Sequence, residues 1–488
     1  MIKADLRWLQ NTLALSSNEV ENLDEKSALQ LIDYVSTDSR TIQADQVFVA
    51  LKGPNFDGSK FIAEVKEKGA IAVVTEQLVD VDIPQFKVPN ALRAYGQIAA
   101  AVAQQSNVKT IAITGSVGKT SVKEMCLAIL SHKVKAKDGK VLATQGNFNN
   151  EVGVPHTLMR FSNDLDYAVV ELGANHIGEI AYTTSLTQPD VAVLNNVGEA
   201  HLEGFGSLMG VVQAKGEIFQ GLSDSGIAIV NGDSEYKAHW LSNLEKQFDK
   251  PEQHIIQFST DVTNLNKPGF VVSTNVELNR LGCPTFDLTY NNQTVTIKLP
   301  IPGRHNVANA LSAAAACIAI GASLEDVQLG LASMTPVSGR VTLHEVSERL
   351  LVIDDSYNAN VRSVNAASDL LSSYQGTSIL VLGDMAELGD EGVALHQQVG
   401  EHALRTGVDV LLSFGDLSRH ASEVFQTAKT SSGMHFEQHA SLLSELEKRI
   451  SQTSEPVSVL VKGSRSAKME VVVAELIKNN NNVSRNNG

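Results

Sequence analysis

The sequence predicts an α/β protein with three domains: a small N-terminal α/β domain, a central parallel-sheet domain and a C-terminal doubly wound domain. Three observations predict it. Short, near-continuous apolar runs alternate with stretches of helical spacing along most of the 488 residues, as in parallel strands covered by helices on both faces. At 114–121 a glycine-bearing turn joins one such run to a helical stretch, the setting of a phosphate loop. The length, at roughly 150 residues per domain, allows about three domains.

The elements follow in order. Residues 1–88 open with a helical stretch and carry the apolar runs VFVAL (47–51) and IAVVT (71–75) around a helical segment at 61–68, which reads as a small α/β unit. Residues 89–337 hold TIAIT (110–114), a helical stretch at 119–132 with apolar residues at helical spacing, and the strand-like runs YAVVEL (167–172) and VAVLNNV (191–197). A more polar, β-like stretch spans 253–300, and 306–320 reads as an alanine-rich helix. SMTPVSGR (333–340) has the turn chemistry of a linker. Residues 338–488 follow with four strand-like runs, LLVIDDSY (350–357), SILVLGDM (378–385), DVLLSFGD (409–416) and VSVLVKGS (457–464), with helical stretches between them. The tail NNNNVSRNNG is of low complexity and is expected to be disordered over 479–488.

Composition narrows the function classes. The formal net charge of −16 argues against a nucleic-acid binder, which needs a basic stripe to displace phosphate counterions. It leaves room for a small anion, because one helix N-terminus or one Lys can serve locally. The hydrophobic share of 43% excludes wholesale disorder. Three scattered cysteines, Cys126, Cys283 and Cys317, support neither a disulfide framework nor a zinc site. Charges at Lys3, Asp5 and Arg7 exclude a signal peptide. The apolar run at 308–320 is shorter than the ~20 residues of a membrane span. A cytoplasmic protein with no membrane span is expected.

The strongest local signal is Thr114-Gly115-Ser116-Val117-Gly118-Lys119-Thr120-Ser121. Its glycines let backbone N–H groups curl around an anion, Lys119 can reach the β- and γ-phosphates, and the Thr120 hydroxyl can ligate Mg²⁺. The general form G-x-x-x-x-G-K-[ST] wants Gly where Ile113 stands. Glu171 ends an apolar strand, the place of a Mg²⁺-holding acid downstream of a phosphate loop. Asn195 and Asn196 end another strand, and His201 follows. Lys215 and Glu217, judged by spacing alone, read as solvated helix charges. Two further polar clusters end apolar strands: Asp354–Asn360, either a ligand edge or an Asx-rich turn, and Lys462–Ser466, which offers two cations to an anion. These positions are compatible with two α/β domains closing on a nucleotide.

Taken together, TGSVGKTSVKEM (114–125), GNFNNEVGVP (146–155), ELGANHIGEI (171–180), NNVGEAHLEGFGS (195–207), AKGEIF (214–219) and PGRHNVANAL (302–311) resemble the ATP-dependent Mur ligases. DDSYNANVRS (354–363), GDMAELG (383–389) and VKGSRS (461–466) resemble the branch that adds D-alanyl-D-alanine, as do STDSR (36–40) and VFVALKGPNFDG (47–58). The resemblance implies an N-terminal UDP-sugar domain, a central P-loop ATPase-like domain and a C-terminal Rossmann-like ligase domain. It implies amide formation through an acyl phosphate, with UDP-N-acetylmuramoyl-tripeptide and D-alanyl-D-alanine as substrates, in peptidoglycan precursor synthesis by a monomer. By the same resemblance, Gly115–Ser121 match the ATP loop, Thr120 and Glu171 Mg²⁺ ligands, and His201 a ligand of a second Mg²⁺. Lys215 matches a carbamylated lysine near the metals. Asn306 and Asn309 match adenine-site residues, Arg340 a phosphate contact and Asp355 a ribose contact. Ser39 and Arg40 match the UDP-sugar site; Asn149, Asn150, Asn175 and His176 match contacts for the muramoyl peptide. Tyr357, Asn358, Asn360, Lys462, Ser464 and Arg465 fall around the dipeptide. The rival reading is another Mur-type or a folylpolyglutamate-type amide ligase.

Overall fold

The computed structural model describes residues 4–198, 202–335, 338–428 and 432–486. Among the described residues three main sheets run in chain order. The first has five strands, ordered 20–21, 85–87, 72–75, 46–49, 34–36. Its strands Gln46–Val49 and Ala72–Thr75 are buried at every position, as apolar runs covered on both faces must be.

The second sheet has nine strands and carries the phosphate loop. Its order is 293–298, 284–290, 270–278, 255–259, 227–231, 191–194, 109–114, 167–171, 141–143. The pairing is parallel from 141–143 to 270–278, and the polar stretch then forms an antiparallel meander. The strand Lys109–Thr114 lies between Tyr167–Glu171 and Val191–Leu194, with Glu171 level with Ile113 and Leu194 level with Thr114. This register brings Glu171 and Asn195 beside the loop that follows Thr114. The helix Lys119–Lys135 and the alanine-rich helix His305–Ala319 pack together on one face, where Val122, Met125, Ile129, Leu311 and Ala314 are fully buried. Small residues permit the close approach. Among the described residues no helix is long and apolar enough to cross a membrane.

The opposite face of the central sheet shares one continuous apolar cluster with the N-terminal sheet, joined by Tyr95 and Ile98 of the helix Ala91–Gln104. The C-terminal sheet is separate and has its own core on each face. Its six strands are ordered 342–345, 350–355, 457–462, 377–383, 410–414, 433–436, and only the first is antiparallel. The two edge strands, Thr342–Glu345 and Gly433–Phe436, go beyond the four expected; both are four residues long and partly exposed, so their apolar signal is weak. The tail also differs from expectation. The helix Glu470–Asn486 runs into it, launched by the buried Met469, Val472, Val473 and Leu476 and continued by an Asn479–Glu447 hydrogen bond of 2.7 Å. Packing of the first turns overrides the composition of the last.

Candidate active site

The loop after Thr114 is held by amide side chains. Gly118 starts the helix with φ +77°, and a Cβ there would lie 2.6 Å from Asn309 Oδ1, so both conformation and space require glycine. Asn196 accepts from the Val117 N–H (3.0 Å) and donates to the Val117 carbonyl (3.0 Å). Asn195 donates to the same carbonyl and to Asn309 Oδ1, at 3.1 and 3.0 Å. Asn309 donates to Asn306, which donates to the Pro302 carbonyl, at 2.9 and 2.7 Å. Asn231 supports Asn195 from the next strand at 2.9 Å. The Ser116 hydroxyl and the Gly198 backbone exchange two bonds of 3.0 Å. Asn306 and Asn309 therefore brace the loop from below, a role beyond the nucleotide contact implied by resemblance. Neutral amides achieve this without placing any charge at the loop.

Charge is supplied by few groups. Lys119 donates to the Gly115 carbonyl at 2.7 Å; burial lowers its pKa, Glu171 opposes that shift and Arg340 adds to it. Thr120 donates to Glu171 Oε2 at 2.9 Å, and Asn149 donates to Glu171 Oε1 at 2.8 Å. Behind them, Thr144 accepts from the Glu171 N–H (2.9 Å) and its carbonyl accepts from the buried Lys123 (2.8 Å). Among the described residues no group of three or more His, Cys, Asp or Glu could hold a metal. His201 lies outside the described residues.

Two helix charges that spacing placed in solvent are buried. Lys215 is 1% exposed; burial first, then Lys119, lowers its pKa to about 7. Glu217 is buried and accepts from the N–H groups of Gly178 and Ala181, at 2.8 and 3.0 Å, where the helix Glu179–Thr187 begins. A carboxylate there satisfies free donors and meets the positive helix end. Helical periodicity over Leu208–Gly216 could not reveal this, since nearly every face of that short helix is covered.

The C-terminal domain supplies the facing wall. A cavity of about 640 Å³ lies between the domains, lined by Ser116–Ser121, Asn149, Glu171, Asn175, Asn306 and Asn309 on one side. Arg340, Asp355, Tyr357, Asn358, Asn360, Lys462, Ser464 and Arg465 line the other. The Arg340 guanidinium sits 4.3 Å from the Tyr357 ring centroid. Lys462 does not present a spare cation as expected: strand register sets it across from Asp355, to which it donates at 2.6 Å, and it also donates to the Asn358 carbonyl at 2.9 Å. Arg465 pairs with Glu470 at 3.0 Å. Asn360 caps the helix Val361–Leu371 through Ser363 N–H at 2.9 Å, and Asn358 Oδ1 accepts from Ala359 N–H at 2.9 Å. The Asx-turn alternative thus describes local bonding here, even though these residues line the cavity. Ser464 Oγ accepts from Ala386 N–H at 2.8 Å and ties the 383–389 loop to the sheet.

Other sequence-predicted residues lie outside this cavity. Asn150 Oδ1 accepts from Gly153 N–H at 2.9 Å, and His176 contacts Glu179 at 2.8 Å. Arg40 forks onto Asp38 at 2.9 and 2.7 Å and draws that carboxyl down to about 2. The neighbouring Ser39 carbonyl accepts from Lys68 at 2.8 Å. Sequence reasoning missed His305, Asn231 and Arg362, all lining the cavity. His305 and Arg362 stood inside quoted motifs, but nothing local says which side chains of a motif face a cleft.

The site is that of a nucleotide-cleft α/β protein in which a phosphate loop in one domain faces the strand ends of another. The Mur ligase middle domain matches residues 113–317, the Mur ligase glutamate ligase domain 339–465 and the Mur ligase family catalytic domain 31–126. The chain belongs to the Mur ligase family. It is 45% identical to the UDP-N-acetylmuramoyl-tripeptide–D-alanyl-D-alanine ligase of Escherichia coli (strain K12), over 92% of this chain and 94% of that protein. Among solved structures it resembles MurF from Acinetobacter baumannii, with TM-score 0.87 and 33% identity over 98% of this chain and 99% of that one. It also resembles MurF ligase from Thermotoga maritima in complex with ADP, with TM-score 0.78 and 26% identity over 92% and 97% of the two chains.

Proposed function

We infer that this chain is an ATP-dependent ligase that joins D-alanyl-D-alanine to UDP-N-acetylmuramoyl-tripeptide, giving UDP-N-acetylmuramoyl-pentapeptide, ADP and phosphate for peptidoglycan synthesis in the cytoplasm. One observation carries the reading: the phosphate loop and the C-terminal strand ends wall a single cleft, where a triphosphate, an acid and an amine can meet. The tripeptide carboxylate attacks the γ-phosphorus, and ADP leaves. The amine of D-alanyl-D-alanine then attacks the acyl carbon, loses a proton and expels phosphate. A free carboxylate reacts sluggishly with an amine because oxide is a poor leaving group; phosphorylation supplies a good one. Closure of the cleft keeps water from the acyl phosphate.

Bringing two anions together requires cations. Lys119 and Arg340 supply them from opposite walls, in a site where low dielectric strengthens their action. Thr120 and Glu171 offer adjacent hard oxygen donors, a set that fits Mg²⁺, which takes one or two protein oxygens and keeps its waters. When bound, Mg²⁺ would offset phosphate charge. We assign His201 to a second Mg²⁺ and carbamylation to Lys215. An amine lowered to about 7 is largely neutral at physiological pH, so its nitrogen can bond to CO₂ and release a proton. Ser39 and Arg40 are assigned to the UDP-sugar. Asn149, Asn150, Asn175 and His176 are assigned to the muramoyl peptide, and Tyr357, Asn358, Asn360 and Ser464 to the dipeptide.

Tripeptide labelled with ¹⁸O in its terminal carboxylate tests the reading. One labelled oxygen is expected in the inorganic phosphate, and release must require D-alanyl-D-alanine. Unlabelled phosphate, or free replacement of the dipeptide by L-amino acids, would overturn it.

A further inference from the structure

We propose that Arg362 is a positioning residue that couples occupation of the phosphate loop to docking of the C-terminal domain. The inference rests on the ATP reading of the loop. Arg362 belongs to the C-terminal domain, in the first turn of the helix Val361–Leu371. Its Nη1 crosses the cleft and donates to the Val197 carbonyl of the central domain at 3.1 Å. That carbonyl lies between the two clamps on the loop: Asn196, bonded both ways to Val117, and Gly198, bonded both ways to Ser116. A phosphate that fixes the loop in this arrangement therefore also fixes the Val197 carbonyl within reach of Arg362. A hydrogen bond of this length is lost on a displacement of about 1 Å, so a loop left free to move weakens the latch and an occupied one secures it.

The same helix meets the central domain a second time. Just past its C-terminal end, Tyr374 donates to the Leu281 carbonyl at 2.9 Å, on the turn between the strands Phe270–Leu278 and Pro284–Tyr290. Roughly 15 Å of helix separates the two contacts. The Tyr374 contact touches only a surface hairpin and serves as the pivot. The Arg362 contact touches the loop support and serves as the latch. Among the described residues no hydrophobic core cluster spans this interface, although Leu370 packs at Gly282 and the exposed pair Arg280–Glu345 closes at 3.1 Å, both beside the pivot. A solvent-exposed ion pair beside the pivot adds little, so the charge-assisted bond at the loop carries weight in the docking equilibrium. Nucleotide and latch bias the same two-state element, docked or undocked, as coupling between sites requires.

The test uses the full chain labelled with a donor–acceptor pair at Lys246→Cys and Glu437→Cys. Both positions are exposed, and the three native cysteines are buried. ADP with Mg²⁺ should raise the docked fraction of this labelled protein. In Arg362→Ala, ADP should still bind by calorimetry but no longer raise that fraction, and the docking constant should fall about tenfold. kcat should fall to a similar degree, with a smaller change in KM for ATP. Arg362→Lys, which keeps a charged donor, should restore part of both. Should Arg362→Ala not fold, Arg362→Gln and Arg362→Lys decide the matter by the same ranking. Docking by ADP that is unchanged in the variants, or a loss of ADP affinity as large as the loss of kcat, would overturn the latch. Failure of the unsubstituted protein to bind ADP would instead overturn the ATP reading, and the ligand-free docked fractions of wild type and variant would still judge the latch.

Discussion

The two walls of the cleft each end a parallel strand near a lysine, half-buried at Lys119 and buried at Lys462, and they treat it differently. In the central domain, neutral amides hold the loop, and Lys119 rests on a backbone carbonyl. In the C-terminal domain, Lys462 is matched by Asp355 on the neighbouring strand, with side-chain exposures of 3% and 13%. The difference teaches what each is for. A partly desolvated cation offset only by the nearby Glu171 is costly until an anion arrives, so Lys119 is poised for a ligand. Lys462 is already neutralised; its role is to hold the strand ends and the Asn358 turn in place.

The largest effect should follow from Lys119→Ala, which is expected to cut turnover by roughly 10²–10³-fold or more while leaving circular dichroism and melting near wild type. Near-normal turnover would erase the contrast between the two lysines. Next in size is Lys462→Ala, which leaves the largely enclosed Asp355 without its partner. Such truncations cost about 3–5 kcal/mol, so the urea midpoint of the C-terminal domain should fall and the double variant Lys462→Met/Asp355→Leu should regain part of it. A loss of dipeptide affinity at unchanged stability would show instead that the charge serves a ligand.

Lys215 sharpens the comparison through pH. Its amine titrates near 10.5 unfolded and about 7 folded. Between those values the unfolded chain binds more protons, so stability climbs with pH across that window and is lowest below 7. In carbonate-free buffer, Lys215→Met should flatten this slope in denaturant titrations from pH 7 to 10; an unchanged slope would place the perturbed amine elsewhere. The smallest effect belongs to Asn309→Ala. It removes one bond to Asn195 and one to Asn306, worth about 1–3 kcal/mol when buried donors lose their acceptors. The nucleotide-free protein should melt earlier. If only ATP binding weakens, Asn309 is a nucleotide contact and not a brace.

Much of this arrangement was legible in residue order. Apolar runs marked the principal strands of all three sheets, because burial on both faces imposes a local pattern. Gly118, Lys119 and Thr120 announced the loop, because strand, turn and helix are neighbours in the chain. Edge strands such as Gly433–Phe436 escaped, since half-exposed strands of four residues carry little signal. The course of the helix Glu470–Asn486 escaped because packing of its first turns outweighs the polarity of its end.

By itself, the amino-acid order determined the α/β class, the phosphate loop and the strand ends where chemistry gathers. These depend on spacing over a few residues. Only the tertiary structure decided which charges are neutralised and which are not: Asp355 meets Lys462 across 107 positions, Arg362 meets Val197 across 165, and Glu217 caps a helix 39 positions earlier. The physical reason is that a charge takes its energy from its surroundings, and those are assembled by folding from parts of the chain that share no local pattern.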